Sequence, residues 1–445
     1  MNYIFAEAKN ELTALNYSCI FAIQLQICRN KQYFSLHICN LLLYLQKIQL
    51  HIMELQRVIS STIQRYLDSF PCIALLGPRQ VGKTTTVKML QNQLTKESIY
   101  LDLESDEDVQ KLTFAEQYFN ERQDKLIIID EIQRNPKLFP LLRSVVDKKR
   151  TNGRFILLGS ASPELLAQSS ETLAGRIAYV EMHPFVYPEI SNQFIFDGLW
   201  LKGGFPGIFL QNDLSLSFEM RIQFIQTYLE RELPVLGLSA SPVVLKNLLR
   251  MLAHAQAQVL NYSEIAKALG VEVNTIKRYI DYFENAFLVR RLQPYFTNSK
   301  KRIVKSPKIF IRDTGILHAL FNIENKEDLD GFIGKGNSWE SFVVQQIIAI
   351  LKPGVTPYFY RTQDGTELDL VLVKGVQPIL GIEIKLSNAP NLTKGLTIAS
   401  QDLGNIPIFV ITHSVSEDYN HNTNTKVTSF ERIFNHLKAY NLLIG

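Results

Sequence analysis

The chain has 445 residues, room for two to four domains that can each bury a core. Apolar residues make up 46% and charged residues 20%, which fits a soluble globular protein and argues against disorder. The net charge of +4 is too small to demand a polyanion partner, so a nucleic-acid surface would have to come from local clusters of bases. Cys19, Cys28, Cys39 and Cys72 show no metal-type spacing, and their simplest reading is a reducing, cytoplasmic compartment.

Residues 1–52 are rich in Leu, Ile, Tyr and Cys but hold no sustained helical or strand period. Their least polar stretch, residues 34–45, contains His37 and Asn40 and is too short to cross a bilayer. No basic start or small-residue cleavage site marks a secretory signal, and no membrane partner is expected. Met53 offers a second start, and Glu54-Leu55-Gln56-Arg57-Val58-Ile59 reads as an amphipathic helix. The expectation is a domain that begins at Met53, with residues 1–52 an extension that is not normally translated.

From residue 53 to about 195 strands and helices alternate, the pattern of a parallel sheet covered on both faces. Cys72-Ile73-Ala74-Leu75-Leu76 reads as a buried strand, and a helix starts near Gly82 with Met89 and Leu90 on its inner face. Between them, Gly77-Pro78-Arg79-Gln80-Val81-Gly82-Lys83-Thr84-Thr85 has the G-x-x-x-x-G-K-T spacing of a phosphate-cradling loop. Its glycines let successive N–H groups turn inward toward an anion, and the helix N-terminus adds about half a positive charge. That chemistry points to ATP: Lys83 can reach the β- and γ-phosphates, and Thr84 can take one position on Mg²⁺.

Residues 98–103 form a second strand, and residues 125–131 form a third that ends in Asp130-Glu131. Adjacent acids at a buried strand tip call for a cation or water. Asp130 suits a water-mediated hold on Mg²⁺, and Glu131 suits orienting the water that attacks the γ-phosphate. A fourth strand, residues 155–162, ends in small polar residues. Ser160 or Ser162 can meet the γ-phosphate or that water, and Ser162 can equally cap a helix at Pro163-Glu164. Arg176, just before the strand at residues 177–180, has two readings. It is an arginine finger completing a neighbouring subunit's site in a homo-oligomer, or it is half of a structural ion pair.

Residues 196–245 are mainly helical, with Gly203-Gly204-Phe205-Pro206 as a turn and Arg221, Arg231 and Glu232 on helix faces. Residues 246–320 read as a helix-turn-helix and a following wing. A helix at residues 262–269 turns at Gly270 into one at residues 274–284 that buries Ile276, Tyr279, Ile280 and Phe283. Thr275, Lys277 and Arg278 then face outward, and Arg290-Arg291, Lys300-Lys301-Arg302, Lys305 and Lys308 add a basic ribbon. DNA contact is one reading, and a packing subdomain with solvated charges is the other.

The last region, residues 321–445, carries a second constellation. Trp339-Glu340-Ser341-Phe342 opens an apolar helix with Glu340 near its inner face. A strand at residues 358–361, a turn at Asp364-Gly365 and strands at residues 367–373 and 379–385 follow. By the strand period of two, Glu383 and Lys385 share one face, where Asp369 can join them. Asp369 and Glu383 can hold Mg²⁺, and Lys385 can stabilise developing charge.

The loop at residues 77–85, Ile129-Asp130-Glu131-Ile132-Gln133, Gly159-Ser160-Ala161-Ser162, Leu173-Ala174-Gly175-Arg176 and Gly203-Gly204-Phe205-Pro206 resemble prokaryotic AAA-type ATPases that carry a C-terminal domain of unknown function. The resemblance runs from about Met53 to the C-terminus. It implies a P-loop NTPase sheet, ATP, and a small helical lid over the nucleotide. Asp369, Glu383 and Lys385 resemble the core motif of the PD-(D/E)xK nuclease fold, with Glu340 as its helix acid, although no Pro precedes Asp369. The expected chain is an α/β ATPase core over 53–195, a lid over 196–245, a winged helix-turn-helix over 246–320 and a nuclease-like α/β domain over 321–445. It would hydrolyse ATP, bind DNA and, in one reading, cut it. The alternative is a nucleotide-controlled protein-interaction switch on an inactive nuclease scaffold.

Overall fold

The computed structural model describes residues 55–160, 173–296, 302–390, 392 and 394–444. The chain divides into two compact units, Met1–Gln56 and Arg57–Gly445, and the second carries everything below. The expectations placed on residues 1–54, on Ala161, Ser162, Pro163 and Glu164, and on Lys300 and Lys301 lie outside the described residues.

Five short strands, β1 (Cys72–Leu76), β2 (Ser98–Asp102), β3 (Leu126–Asp130), β4 (Phe155–Gly159) and β5 (Ile177–Glu181), make one parallel sheet in the order β2-β3-β4-β1-β5. β1, β3 and β4 are apolar without alternation because both of their faces are covered. On one face Ile73, Leu75, Ile128 and Leu158 meet Val87 and Leu90 of the helix Lys83–Gln91. On the other, Ala74, Ile127 and Leu157 meet Phe139, Leu142 and Val145 of the helix Leu138–Lys148. Full burial of one such Leu or Ile stabilises by roughly 1.5–3 kcal/mol. Met89 is only half-buried, and Val87 takes the inner place expected of it. The loops after β1, β3 and β4 leave from the carboxyl ends of the strands, where open α/β sheets bind ligands.

The helix expected at residues 54–59 is observed as Ser60–Leu67. Arg57 is instead a tertiary tie, with Nε donating to Glu189 Oε1 at 3.0 Å and Nη1 to the Val81 carbonyl at 2.9 Å. Helices Phe196–Lys202, Leu214–Thr227 and Pro242–His254 follow the sheet, with a π-helical turn at Tyr228–Glu232. Arg221 is not on a solvated face; it is fully buried and donates to the Leu201 and Ile323 carbonyls.

Helices Tyr262–Leu269 and Val273–Asn285 join at Gly270, and the second buries Ile276, Tyr279, Ile280 and Phe283. Beside them β6 (Gln258–Val259), β7 (Val289–Leu292) and β8 (Lys308–Ile311) form an antiparallel sheet in the order β6-β8-β7. The last part packs the helix Lys335–Ile348 on a six-stranded sheet in the order β13-β14-β12-β11-β10-β9. Its strands are β9 (Val355–Arg361), β10 (Glu367–Lys374), β11 (Gln377–Ile384), β12 (Ile408–Thr412), β13 (Tyr419–Asn420) and β14 (Thr425–Ser429). β9, β10 and β11 are antiparallel neighbours, whereas β11, β12 and β14 run parallel.

The described ends of the connection from β7 to β8 are tied to β9 and the turn after it. Tyr295 N–H donates to the Phe359 carbonyl at 2.7 Å, Val304 N–H to Arg361 at 3.0 Å, and Gln363 N–H to Arg302 at 2.9 Å. Backbone groups on the β9 edge are thereby satisfied, which removes an open strand edge. Among the described residues no helix is long and apolar enough to cross a membrane.

Candidate ATP site and a buried acid cluster

β1 delivers the chain to the loop at residues 77–85, and the helix Lys83–Gln91 starts from Gly82 at φ +94°. That left-handed conformation is why glycine stands there. Pro78 and Val81 are buried under the loop, while Gln80 and Thr85 face outward. Lys83 Nζ donates to the carbonyls of Gly77 at 2.8 Å and Pro78 at 3.0 Å. Burial pulls its ammonium down to about 8, against the pull of Glu131 and Asp130. A triphosphate supplies the counter-charge that such a buried cation lacks.

The tip of β3 faces this loop. Asp130 Oδ2 accepts from Thr84 Oγ1 at 2.6 Å and from the Tyr100 hydroxyl at 2.5 Å, and its Oδ1 accepts from Glu131 N–H at 2.9 Å. Glu131 is left-handed, at φ +54°, a strained conformation of the kind that collects at functional sites. Its Oε2 accepts from Ser160 Oγ at 3.0 Å, and Gln133 Nε2 donates to Ser160 at 3.1 Å and to Glu131 itself. The expected Lys83, Thr84, Asp130, Glu131 and Ser160 thus meet at one end of the sheet. A hydroxyl and a carboxylate in contact beside a phosphate loop fit Mg²⁺, which Thr84 and Asp130 would hold. The ion would neutralise charge on the phosphate oxygens.

Arg79 adds a link the residue pattern did not show. Its guanidinium lies 2.8 Å from Glu104, 2.9 Å from Glu232 and 3.9 Å from Glu131. Glu232, in the π-helical turn, thus touches the phosphate loop through Arg79, while its neighbour Arg231 is exposed. Arg176 is elsewhere. It precedes β5 at the amino edge of the sheet, where its carbonyl accepts from Cys72 N–H at 3.1 Å. Its guanidinium makes a two-point ion pair with Asp147, at 2.5 and 3.0 Å.

The second constellation also converges, around a residue the sequence placed on the surface. Lys308, in β8, is 2% exposed. Its ammonium lies 2.8 Å from Glu340, 2.8 Å from Glu367 and 3.2 Å from Asp369. Burial alone would lower Lys308, but Asp369, Glu340 and Glu367 together hold it above the usual lysine range. Asp369 Oδ2 accepts from Ile384 N–H at 2.8 Å, and Lys385 Nζ sits 2.6 Å from Glu383 Oε1. Burial, then the charge of Asp369, pushes the Glu340 and Glu383 carboxyls well above the usual carboxylate range. Breaking one partner out of a buried ion network costs about 3–5 kcal/mol, so Lys308 is firmly held.

Mg²⁺, expected at Asp369 and Glu383, does not fit this donor set. The Lys308 ammonium already lies against Asp369 Oδ1, where a cation held by that carboxylate would sit, and Oδ2 accepts from a backbone N–H. Among the described residues no group of three or more His, Cys, Asp or Glu side chains is placed to hold a metal ion. The basic ribbon is corrected as well. Lys308 is buried, Arg290 donates to Gln345 at 3.0 Å, and Arg291 is paired with Asp281 and Glu284. Of the ribbon's described bases only Arg302 and Lys305 are exposed, along with Lys277 and Arg278 on the preceding helix.

Tyr100, Gln133, Glu232, Lys308 and Glu367 are among the site residues that the pattern missed. Gln133 lay beside the acidic strand end and so carried some signal, whereas Tyr100 sits mid-strand in β2 beside β3. Glu232 and Lys308 carried none beyond ordinary helix and basic-run composition.

Three family models match the chain. The model of the AAA domain matches residues 69–191. Two domains of unknown function match residues 193–327 (DUF8612) and 335–433 (DUF4143). The uncharacterized protein Rv2008c of Mycobacterium tuberculosis is 37% identical over 348 residues, which is 78% of this chain and 78% of that protein. The uncharacterized protein Mb2031c of Mycobacterium bovis gives the same values. Among solved structures, the Walker-type ATPase PABY2304 of Pyrococcus abyssi is similar at 16% identity with a TM-score of 0.41, covering 59% of this chain and 94% of that one. The chain carries a P-loop AAA domain and belongs to one family with the mycobacterial proteins Rv2008c and Mb2031c.

Proposed function

We propose that this chain binds and hydrolyses MgATP and uses the nucleotide state to alter contacts made through its C-terminal half. The observation that carries the reading is the convergence of Lys83, Thr84, Asp130, Glu131 and Ser160 at one strand end. Loop N–H groups and Lys83 bind the phosphates, and Thr84 and Asp130 hold the Mg²⁺. Glu131, oriented by Ser160 and Gln133, positions the attacking water and takes up its proton. A switch output is favoured over DNA cleavage because three of the ribbon's bases, Arg290, Arg291 and Lys308, are committed to internal partners. Arg176 enters as a finger in trans only if a neighbouring copy displaces Asp147.

The test is ATP turnover by the full chain with and without duplex, forked and single-stranded DNA. Lys83→Ala is expected to abolish turnover by weakening phosphate binding. Glu131→Gln is expected to keep ATP affinity and lower kcat by about 100-fold or more. Full turnover by Glu131→Gln at saturating ATP contradicts the assignment. Stimulation by one DNA form, with strong salt dependence, would restore the DNA reading.

A further inference from the structure

The C-terminal acids are arranged as a metal site is arranged, yet a cation of the chain's own lies among them. We propose that the Lys308 ammonium stands in the place of a divalent metal, so that this domain is a metal-free scaffold locked to the strand β8. Three observations carry it. Lys308 Nζ touches Glu340, Glu367 and Asp369 at 2.8–3.2 Å, as a shared cation does. Its side chain is almost wholly buried, 2% exposed. Asp369, which would be the shared ligand, has its second oxygen bound to the Ile384 N–H at 2.8 Å.

The origin of the lysine adds a consequence. Lys308 is not on the sheet that carries the acids; it comes from the β6-β8-β7 sheet. The backbone bonds from residues 295 and 304 to β9 fix the approach of β8, so the ammonium is delivered by a strand anchored near the acids. Lys385, at the position that the nuclease resemblance gives to its lysine, is tied to Glu383 and stays half-exposed. With one lysine more than such a site needs, the cluster balances much of its own charge.

The experiment is titration of the full, nucleotide-free chain with Mn²⁺, reading free Mn²⁺ by electron paramagnetic resonance. The wild type is expected to show no Mn²⁺ binding that Asp369→Asn removes. Lys308→Met strips the acids of their cation, and one Mn²⁺ per chain is then expected to bind at least tenfold tighter than to the wild type. Adding Asp369→Asn to that variant should remove the new site, and Lys308→Arg should not create it. A folded Lys308→Met chain that binds no more Mn²⁺ than the wild type overturns the proposal. The wild-type titration stands without any lysine variant: Mn²⁺ bound by the wild type and lost in Asp369→Asn overturns it too.

Discussion

His318 shows how much one buried side chain settles in this molecule. Its Nδ1–H donates to the Leu201 carbonyl at 2.9 Å, because a carbonyl can only accept. Nε2 must then accept from Ser338 Oγ at 2.7 Å, and Ser338 in turn accepts from Trp200 Nε1 at 3.0 Å. The chain of bonds is complete with a neutral ring, and burial draws the imidazole down to about 4. A proton that the unfolded chain takes up near 6.5 is refused by the folded one. The His318 contribution is therefore full above pH 6.5 and is lost as pH falls toward 4, by about 2 kcal/mol at pH 5. Urea unfolding at pH 7.5 and 5 should show the wild type losing that much more stability than His318→Gln. Equal losses would mean that His318 is not the group refusing the proton. His183, half-buried and also drawn down, adds acid sensitivity of the same sign to both proteins, so only the difference reports His318. Residues of this kind were not legible in the sequence. Neither was Lys308, since a basic run in an otherwise polar stretch looks solvated until a strand from elsewhere covers it. The phosphate residues were legible because phosphate chemistry demands particular side chains at close spacing.

Elements came through better than residues, and their junctions less well. The three-residue-and-four periodicity placed Val273–Asn285 to within a residue, and the alternation around Asp369 placed β10 and β11. Gly203-Gly204-Phe205-Pro206 was legible as a turn, but the element it meets was not. The helix Phe196–Lys202 ends against the start of the helix Thr314–Leu320, capped by Asp313. Asp313 Oδ2 accepts from Gly204 N–H at 2.8 Å and its Oδ1 from Ile316 N–H at 3.0 Å. A Cβ on Gly315 would overlap the Lys202 carbonyl, and one on Gly204 would come within 2.5 Å of the Phe185 carbonyl. In both cases the obstacle is backbone, which cannot rotate away. Gly315→Ala should therefore destabilise by about 3 kcal/mol or more. Gly331→Ala, where a Cβ meets nothing within 4 Å, should change stability little. Matched urea midpoints for the two variants would contradict the close crossing.

At the scale of the whole molecule the region from residue 193 to 327 touches both of its neighbours with charge. Glu232 reaches Arg79 in the phosphate loop, and Arg312 reaches Glu181 and His183 at the carboxyl end of β5. Four residues before Arg312, on β8, Lys308 enters the C-terminal acids. One strand thus ends at the ATPase sheet and begins at the C-terminal cluster. A triphosphate arriving at the loop competes for Arg79, which Glu104, Glu131 and Glu232 now share. A triphosphate carries several negative charges, so its pull on Arg79 exceeds that of the single Glu232 carboxylate. The π-helical turn Tyr228–Glu232 would then lose its tie to the loop. A non-hydrolysable ATP analogue should therefore raise amide hydrogen exchange at residues 228–238, while residues 77–85 become protected. ADP, lacking the γ-phosphate, should raise it less. In Glu232→Gln the exchange at residues 228–238 should already be high without nucleotide and should no longer respond to it. Protection of the loop with unchanged exchange at residues 228–238 would show that nucleotide state stops at the ATPase sheet, and Arg79 would then be a phosphate ligand only.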